Sequence, residues 1–185
     1  ASADHLIKSY VRTYNLPAII SNCCNNYGPY QFPEKLIPKI ITNIISNKPL
    51  PVYAKGQNSR EWIYVNDHCE ALHKIYKKGK IGESYNVGSN ANIKNIYMVK
   101  NILNIFKIKG YKIGKKVKIK FVKDRPGHDF RYALNSKKIR KEINWKSKTK
   151  LNHGLVKTVN WYIDNSKFIN SISNKLYNKR IGLKI

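Results

Sequence analysis

Leu16-Pro-Ala-Ile-Ile-Ser-Asn-Cys23, running into Cys24-Asn-Asn-Tyr-Gly-Pro29, carries the fold assignment. Pro17 forbids a helix here, and the apolar, β-branched run beside it reads as a buried strand, Leu16–Cys23, apolar on both faces. Asn25 to Pro29 is loop chemistry at that strand's carboxyl end. In open α/β sheets this edge is where ligands sit. Upstream, Leu6, Tyr10 and Val11 share a face with Ala3 and Tyr14, so a helix is predicted over 2–14, stopped at Asn15.

Downstream, Leu36, Ile37, Ile40, Ile41, Ile44 and Ile45 predict a helix over 34–46, ended by Pro49 and Pro51. Residues 52–54 and 61–65 read as strands around a turn at Gly56-Gln57-Asn58. Asn66 is the expected cap of a helix through Tyr76, with Asp67 in its first turn. A strand at 84–87 closes at Gly88. Asn95 is the expected cap of a helix from 96 to 106. Strands at 118–122 and 132–134 and helices at 136–143 and 151–163 complete the series, followed by a polar tail. No internal repeat occurs. Strands alternating with helices make the class α/β.

The chain has 185 residues, enough for one ordinary domain, and 42% of them are hydrophobic. No apolar run approaches the roughly 18–20 residues that cross a bilayer, so no membrane partner is expected. The first residues show no basic segment, apolar core and cleavage site in sequence, and no signal peptide is read. Three cysteines, two of them adjacent, make no disulfide framework, and no spacing suggests zinc. A reducing cytoplasm is the expected setting. Lys+Arg number 36 against 10 Asp+Glu, a net charge of +26, which by itself suggests nucleic acid. The lysines are scattered rather than striped, and Lys, Asn, Ile and Tyr are the residues that A/T-rich codons write. No nucleic-acid partner is therefore expected. The few acids Glu34, Glu61, Asp67, Asp124 and Asp129 lie inside tight local patterns, as if those positions have jobs.

There is no G-x-G-x-x-G, no G-x-x-x-x-G-K-[ST], no H-E-x-x-H and no G-x-S-x-G. His68 and His73 are five apart, off one helical face, and read as structural rather than metal-binding. Arginine is scarce in a chain that writes its cations as lysine. Arg60 and Arg125 therefore argue for planar recognition of phosphate or carboxylate, against a structural ion pair. Arg125-Pro-Gly-His128-Asp129 puts a cation, an imidazole and an acid in one turn, unless it is merely a solvated one. Tyr53 either stacks on a base or packs in a small sheet. Asn25 and Asn26 either bond a ligand or form the turn.

Ser21-Asn-Cys-Cys-Asn-Asn-Tyr-Gly-Pro-Tyr-Gln-Phe-Pro-Glu-Lys-Leu-Ile-Pro38 resembles the segment after the sixth sheet strand of dTDP-glucose 4,6-dehydratases. These belong to the extended short-chain dehydrogenase/reductase superfamily. Pro49 to Gly56, Arg60 to His68, Gly82 to Gly88, Lys94 to Ile96, Phe121 to Ala133 and Leu155 to Tyr162 continue the resemblance in order, over about residues 1–165. The family usually has Ser where Cys24 stands and Asp where Glu61 stands. The opening residues are similar to the stretch directly after the family's Tyr-x-x-x-Lys pair. That pair, the glycine-rich NAD loop and the Asp-Glu acid/base pair are expected before residue 1, so the chain is similar to the C-terminal half and no catalytic residue is expected within it.

The resemblance implies the C-terminal part of an NAD-binding Rossmann-type sheet, interleaved with a smaller α/β substrate-binding domain. Residues 1–24 would belong to the former and 25–165 to the latter, with segments near 60–88 returning to the sheet and 166–185 as a tail. In the family, NAD takes hydride from sugar C4, water leaves across C5 and C6, and hydride returns to C6. Lys35, Leu36, Pro51, Val52 and Tyr53 would cradle thymidine. Arg60, Asn95 and Arg125 would hold the diphosphate, with Pro126, Gly127, His128 and Asp129 completing that wall. Asn25 would touch the sugar and Asn26 the cofactor. Implied partners are a dTDP-sugar, the N-terminal half and a second copy in a homodimer. Another nucleotide-sugar epimerase, dehydratase or decarboxylase, a basic nucleic-acid-binding module, or a relic that binds nothing are the rival readings.

Overall fold

The computed structural model describes residues 2–172. Fifteen elements follow one another. They are α1 (Ser2–Tyr14), β1 (Ile20–Cys23), β2 (Asn25–Tyr27), α2 (Leu36–Ile45), β3 (Leu50–Tyr53), β4 (Ser59–Tyr64), α3 (Val65–Lys78) and β5 (Ser84–Val87). The second half adds β6 (Asn92–Lys94), α4 (Asn95–Ile108), β7 (Ile119–Val122), β8 (Arg131–Tyr132), α5 (Lys137–Ile143), α6 (Leu151–Asp164) and α7 (Ser166–Ser171). The α/β class stands.

Three small sheets form. β1 pairs in parallel with β5, from Ile20 with Ser84 to Cys23 with Val87. β2 runs parallel to β4, which also takes antiparallel β6 and parallel β8. β3 pairs in parallel with β7.

Several local expectations need correction. The first strand begins at Ile20, not Leu16, because Ala18 N–H turns back onto the Leu16 carbonyl at 2.8 Å. It is not apolar on both faces: Ile20 is buried, but Ser21 is exposed and Asn22 half-buried. Asn25–Tyr27 is a strand rather than a loop, drawn into register by the fully covered β4. Asn66 does not cap α3; the chain enters that helix at Tyr64. Asn95 is the first residue inside α4, its N–H spent on the Asn58 carbonyl at 2.9 Å. The region read as a polar tail starts with α7, because Phe168 packs on the rings of Tyr30 and Trp161. The rest of that tail lies outside the described residues.

Two cores share one strand. The larger gathers Ile37, Ile40, Ile41 and Ile44 of α2, Met98, Val99, Ile102 and Phe106 of α4, and Leu155, Val159 and Tyr162 of α6. In each helix these positions recur at three- and four-residue intervals, the single-face signature of a helix. The smaller gathers Ala71 and Ile75 of α3, Tyr85 and Val87 of β5, and Ile139, Ile143 and Trp145. Side chains alternate along a strand, and β4 uses both faces: Trp62 and Tyr64 enter the larger core, Ile63 the smaller. α6 approaches β2 so closely that a Cβ on Gly154 would strike the Tyr27 ring and hydroxyl. α1 buries none of its residues, and Leu6, Tyr10 and Tyr14 stand exposed.

Candidate functional site

The amino end of β4 and the loop after β7 meet to form the site. Ser59 N–H donates to the Phe130 carbonyl at 2.8 Å, and β8 extends the pairing from there. Asn58, 6% exposed, donates its Nδ2 to the Asp129 carbonyl at 3.2 Å. Arg60, 7% exposed, donates Nη2 to the same carbonyl at 2.6 Å and Nη1 to the Ser59 carbonyl at 2.7 Å. Its guanidinium thus rests on backbone carbonyls, with no carboxylate among the described residues within 4 Å.

The loop itself is tied by an acid. Asp124 Oδ1 receives the Arg125 backbone N–H at 2.9 Å and lies 2.7 Å from His128 Nδ1. Partial burial opposes the Asp124 charge. The hydrogen bonds from His128 and Arg125 N–H, with the Arg125 charge, outweigh it and hold the carboxyl below its ordinary range. The His128 ring sits edge-on to Tyr53 at 5.8 Å, so one wall joins β3 to this loop. Arg125 is exposed and faces Arg60 electrostatically. Burial first, then repulsion from Arg125, lowers the Arg60 pKa against the pull of Asp129 and Asp124. Two cations around one loop favour an anion over a cation.

The expected site residues fall into three groups. Tyr53, Arg60, Arg125, Pro126, Gly127, His128 and Asp129 come together. Asn95 joins them through Asn58 and is 9% exposed, with its Oδ1 buried and unbonded. Val52 is a correction in kind: its side chain is 1% exposed and belongs to the larger core, leaving only its backbone to a ligand. Pro51 beside it is half-buried. Lys35 and Leu36 open α2, where Lys35 is exposed and paired with Glu34 at 3.0 Å. Asn25 and Asn26 lie on β2, opposite Trp62 and Ile63 of β4. Asn26 Nδ2 donates to Cys23 Sγ and to the Cys24 carbonyl, each at 3.3 Å, and its Oδ1 is buried without a partner.

The sequence marks Asn58 only as a turn residue, and the signal for more is its place two residues before Arg60. Gln31 was not singled out. Glu61 and Asp67 are tied into the fold. Glu61, 1% exposed, accepts Asn90 N–H at 2.6 Å and Leu134 N–H at 2.7 Å, and a Cβ on Gly88 would collide with it. Asp67 is turned toward residues 147–149, accepting Ser147 Oγ, Lys148 N–H, Thr149 N–H and Thr149 Oγ1. Burial, then the Glu61 charge, pushes the Cys24 thiol up to about 12, which removes it as a nucleophile. Among the described residues no group of His, Cys, Asp and Glu could hold a metal. No helix there is long and apolar enough to cross a membrane.

The Tyr-x-x-x-Lys spacing does occur within this sequence. Tyr76/Lys80 and Tyr111/Lys115 both have the spacing. Tyr76 is 82% exposed at the end of α3, and Tyr111 follows α4 with its ring against Phe106, so neither stands in the site.

The α/β frame places two arginines beside its parallel strands. The family model described as GDP-mannose 4,6 dehydratase matches residues 1–158, and the chain belongs to that family. A dTDP-glucose 4,6-dehydratase of Salmonella typhimurium is 46% identical over 178 residues, 96% of this chain and 49% of that protein. The solved dTDP-glucose 4,6-dehydratase of Bacillus anthracis, in complex with NAD, is 43% identical with a TM-score of 0.81, covering 90% of this chain and 51% of that one. That of Streptomyces venezuelae, with NAD and TYD bound, is 38% identical with a TM-score of 0.82, covering 90% and 50%. The chain spans about half the length of these relatives. The resemblance and the Rossmann-type α/β fold read from the sequence are borne out.

Proposed function

We propose that this chain forms the nucleotide-sugar-binding portion of an NAD-dependent dTDP-glucose 4,6-dehydratase, a hydro-lyase that releases water and dTDP-4-keto-6-deoxyglucose. The observation that supports it most is the Arg60 guanidinium, set on the Ser59 and Asp129 carbonyls beside the Tyr53–His128 wall, with Arg125 on the same loop. A diphosphate satisfies both guanidinium groups with charge-assisted bonds. Arg60 is held in advance by two carbonyls, so little freedom is lost on binding. Tyr53 offers a ring face to thymine, with Pro51 beside it. The clamp grips the nucleotide end and thereby orients the sugar.

NAD, when bound, supplies the hydride acceptor. Asn26 is the residue here that fits it, because its buried Oδ1 has no partner. By the resemblance, proton transfer falls to residues outside the matched half, and the 185-residue chain by itself is expected to be inactive. The working enzyme is a cytoplasmic homodimer, and nucleic acid is not its ligand. Calorimetry with dTDP and dTDP-glucose, and a turnover assay, test this on the protein expressed from its full reading frame. Micromolar dTDP binding and formation of the 4-keto product are expected. No dTDP binding, or tighter binding of nucleic acid than of dTDP, overturns it.

A further inference from the structure

The loop after β2 leaves two buried amide oxygens with nothing to accept. Gln31 donates Nε2 to the Asn26 carbonyl at 2.8 Å, and its Oε1 is buried and unbonded. Asn26 Oδ1 is in the same condition. Native structures rarely leave such groups unpaired, and each case asks for a partner. The donor ends fix the orientation of both carboxamides. Asn26 Nδ2 is spent on Cys23 Sγ and the Cys24 carbonyl, and Gln31 Nε2 on the Asn26 carbonyl. The backbone of Gln31 is pinned as well, because Tyr162 donates its hydroxyl to the Gln31 carbonyl. Its neighbour Tyr30 is held by the rings of Trp161 and Phe168.

The result is a pair of free acceptors on residues joined by the Gln31–Asn26 hydrogen bond. It suits hydroxyl or primary-amide donors and repels phosphate and carboxylate, the opposite of the arginine clamp. The two lie at a fixed separation. Asn26 pairs with Ile63, three residues along β4 from Arg60, which is roughly 10 Å at the ordinary strand rise. A nucleotide sugar has this polarity, anionic at the diphosphate and donor-rich at the hexose.

We infer that Gln31 is a further ligand-binding residue, whose Oε1 acts with Asn26 Oδ1 to accept hydrogen bonds from a donor group at the reacting end of the site. The inference rests on the nucleotide-sugar reading above. Two sources carry such donors, the hexose hydroxyls and the carboxamide of NAD.

The test is calorimetry on the protein from its full reading frame, with dTDP, dTDP-glucose and NAD titrated separately. Gln31→Met keeps the shape and removes the acceptor. It should weaken either dTDP-glucose or NAD about tenfold, the worth of roughly one hydrogen bond, and leave dTDP unchanged. Whichever ligand weakens is the source of the donor. Gln31→Glu keeps an acceptor and loses the bond to Asn26, and it should hold that ligand more tightly than Gln31→Met does. If Gln31 only propped the loop, Glu and Met would be equally damaging, and that result overturns the inference. Unchanged affinity of a folded Gln31→Met protein for both ligands also overturns it. Should Gln31→Met not fold, the unsubstituted protein is titrated with deoxy-sugar nucleotides and with an NAD analogue whose carboxamide is a methyl ketone. A loss of about tenfold with one of these supports the inference, and no loss with any overturns it. Failure of the unsubstituted protein to bind dTDP sinks the functional reading, and this inference with it.

Discussion

The Arg60 guanidinium is held at 2.6 Å by the backbone carbonyl of Asp129, 69 residues further along the chain. The carbonyl, not the Asp129 carboxylate, makes the contact, so the cation is oriented without being neutralised. Arg60 therefore keeps its charge while its direction is already set.

Arg60→Ala removes that cation and its bonds to the Ser59 and Asp129 carbonyls, the latter keeping the bond from Asn58. It should weaken dTDP binding by about 2–4 kcal/mol, the range for truncating one member of a buried charged contact. Arg125→Ala, at an exposed position, should cost about 1.5–3 kcal/mol, the worth of a hydrogen bond to a charged group. Calorimetry on both variants checks the order. An effect of Arg125→Ala larger than that of Arg60→Ala would contradict the geometry.

Asp124 gives the loop an acid limit. Its carboxyl is depressed in the folded state. Its contribution to stability is therefore fully present above the unfolded value, near 3.9 for ordinary Asp, and is lost as pH falls through the lower folded value. Thermal melts of the protein and of Asp124→Asn should differ at neutral pH and converge at a pH below the ordinary Asp value. A gap that stays constant down to that pH would count against the assignment.

Gly154 is fixed by the Tyr27 side chain. Gly154→Ala should destabilise the protein by about 1–3 kcal/mol through overpacking. Tyr27→Phe loses the bond to the Leu151 carbonyl at 3.2 Å but removes the nearest colliding atom. The double variant should therefore melt higher than the two single losses predict when summed. Strict additivity would show that the helix shifts instead.

Produced by itself, the 185-residue chain should turn over no dTDP-glucose. In native-state hydrogen exchange its α1 amides should exchange well before those of α4. α1 buries no residue, whereas α4 buries Met98, Val99, Ile102 and Phe106. Measured turnover, or protection of α1 equal to that of α4, would refute the respective claim.

Periodicity revealed α1, α2, α4 and α6 because each repeats one apolar face over ten or more residues. It missed β2 and β6, each of three residues, since both exist only by pairing with β4. Asn66 and Asn95 misled as caps because cap chemistry is local, and the Asn95 N–H found a partner elsewhere. The surviving acids were the better guide. Glu34, Glu61, Asp67 and Asp124 each hold a specific partner. Asp129 is the exception, valued for its backbone. Arg60 and Arg125 could be picked out by rarity, but Gln31 could not, because one of its two amide ends looks ordinary until both are traced in three dimensions.

β4 is the common wall of two cores, and this sets a limit on sequence drift. Lysine has spread over most of the chain, yet none occurs in Ser59–Tyr64, where every residue after Ser59 is buried. A change at Ile63 presses on that wall from one side and a change at Trp62 from the other, so neither can be absorbed without moving the strand that carries Arg60. Compositional pressure can therefore rewrite the exterior freely while Arg60 stays in register.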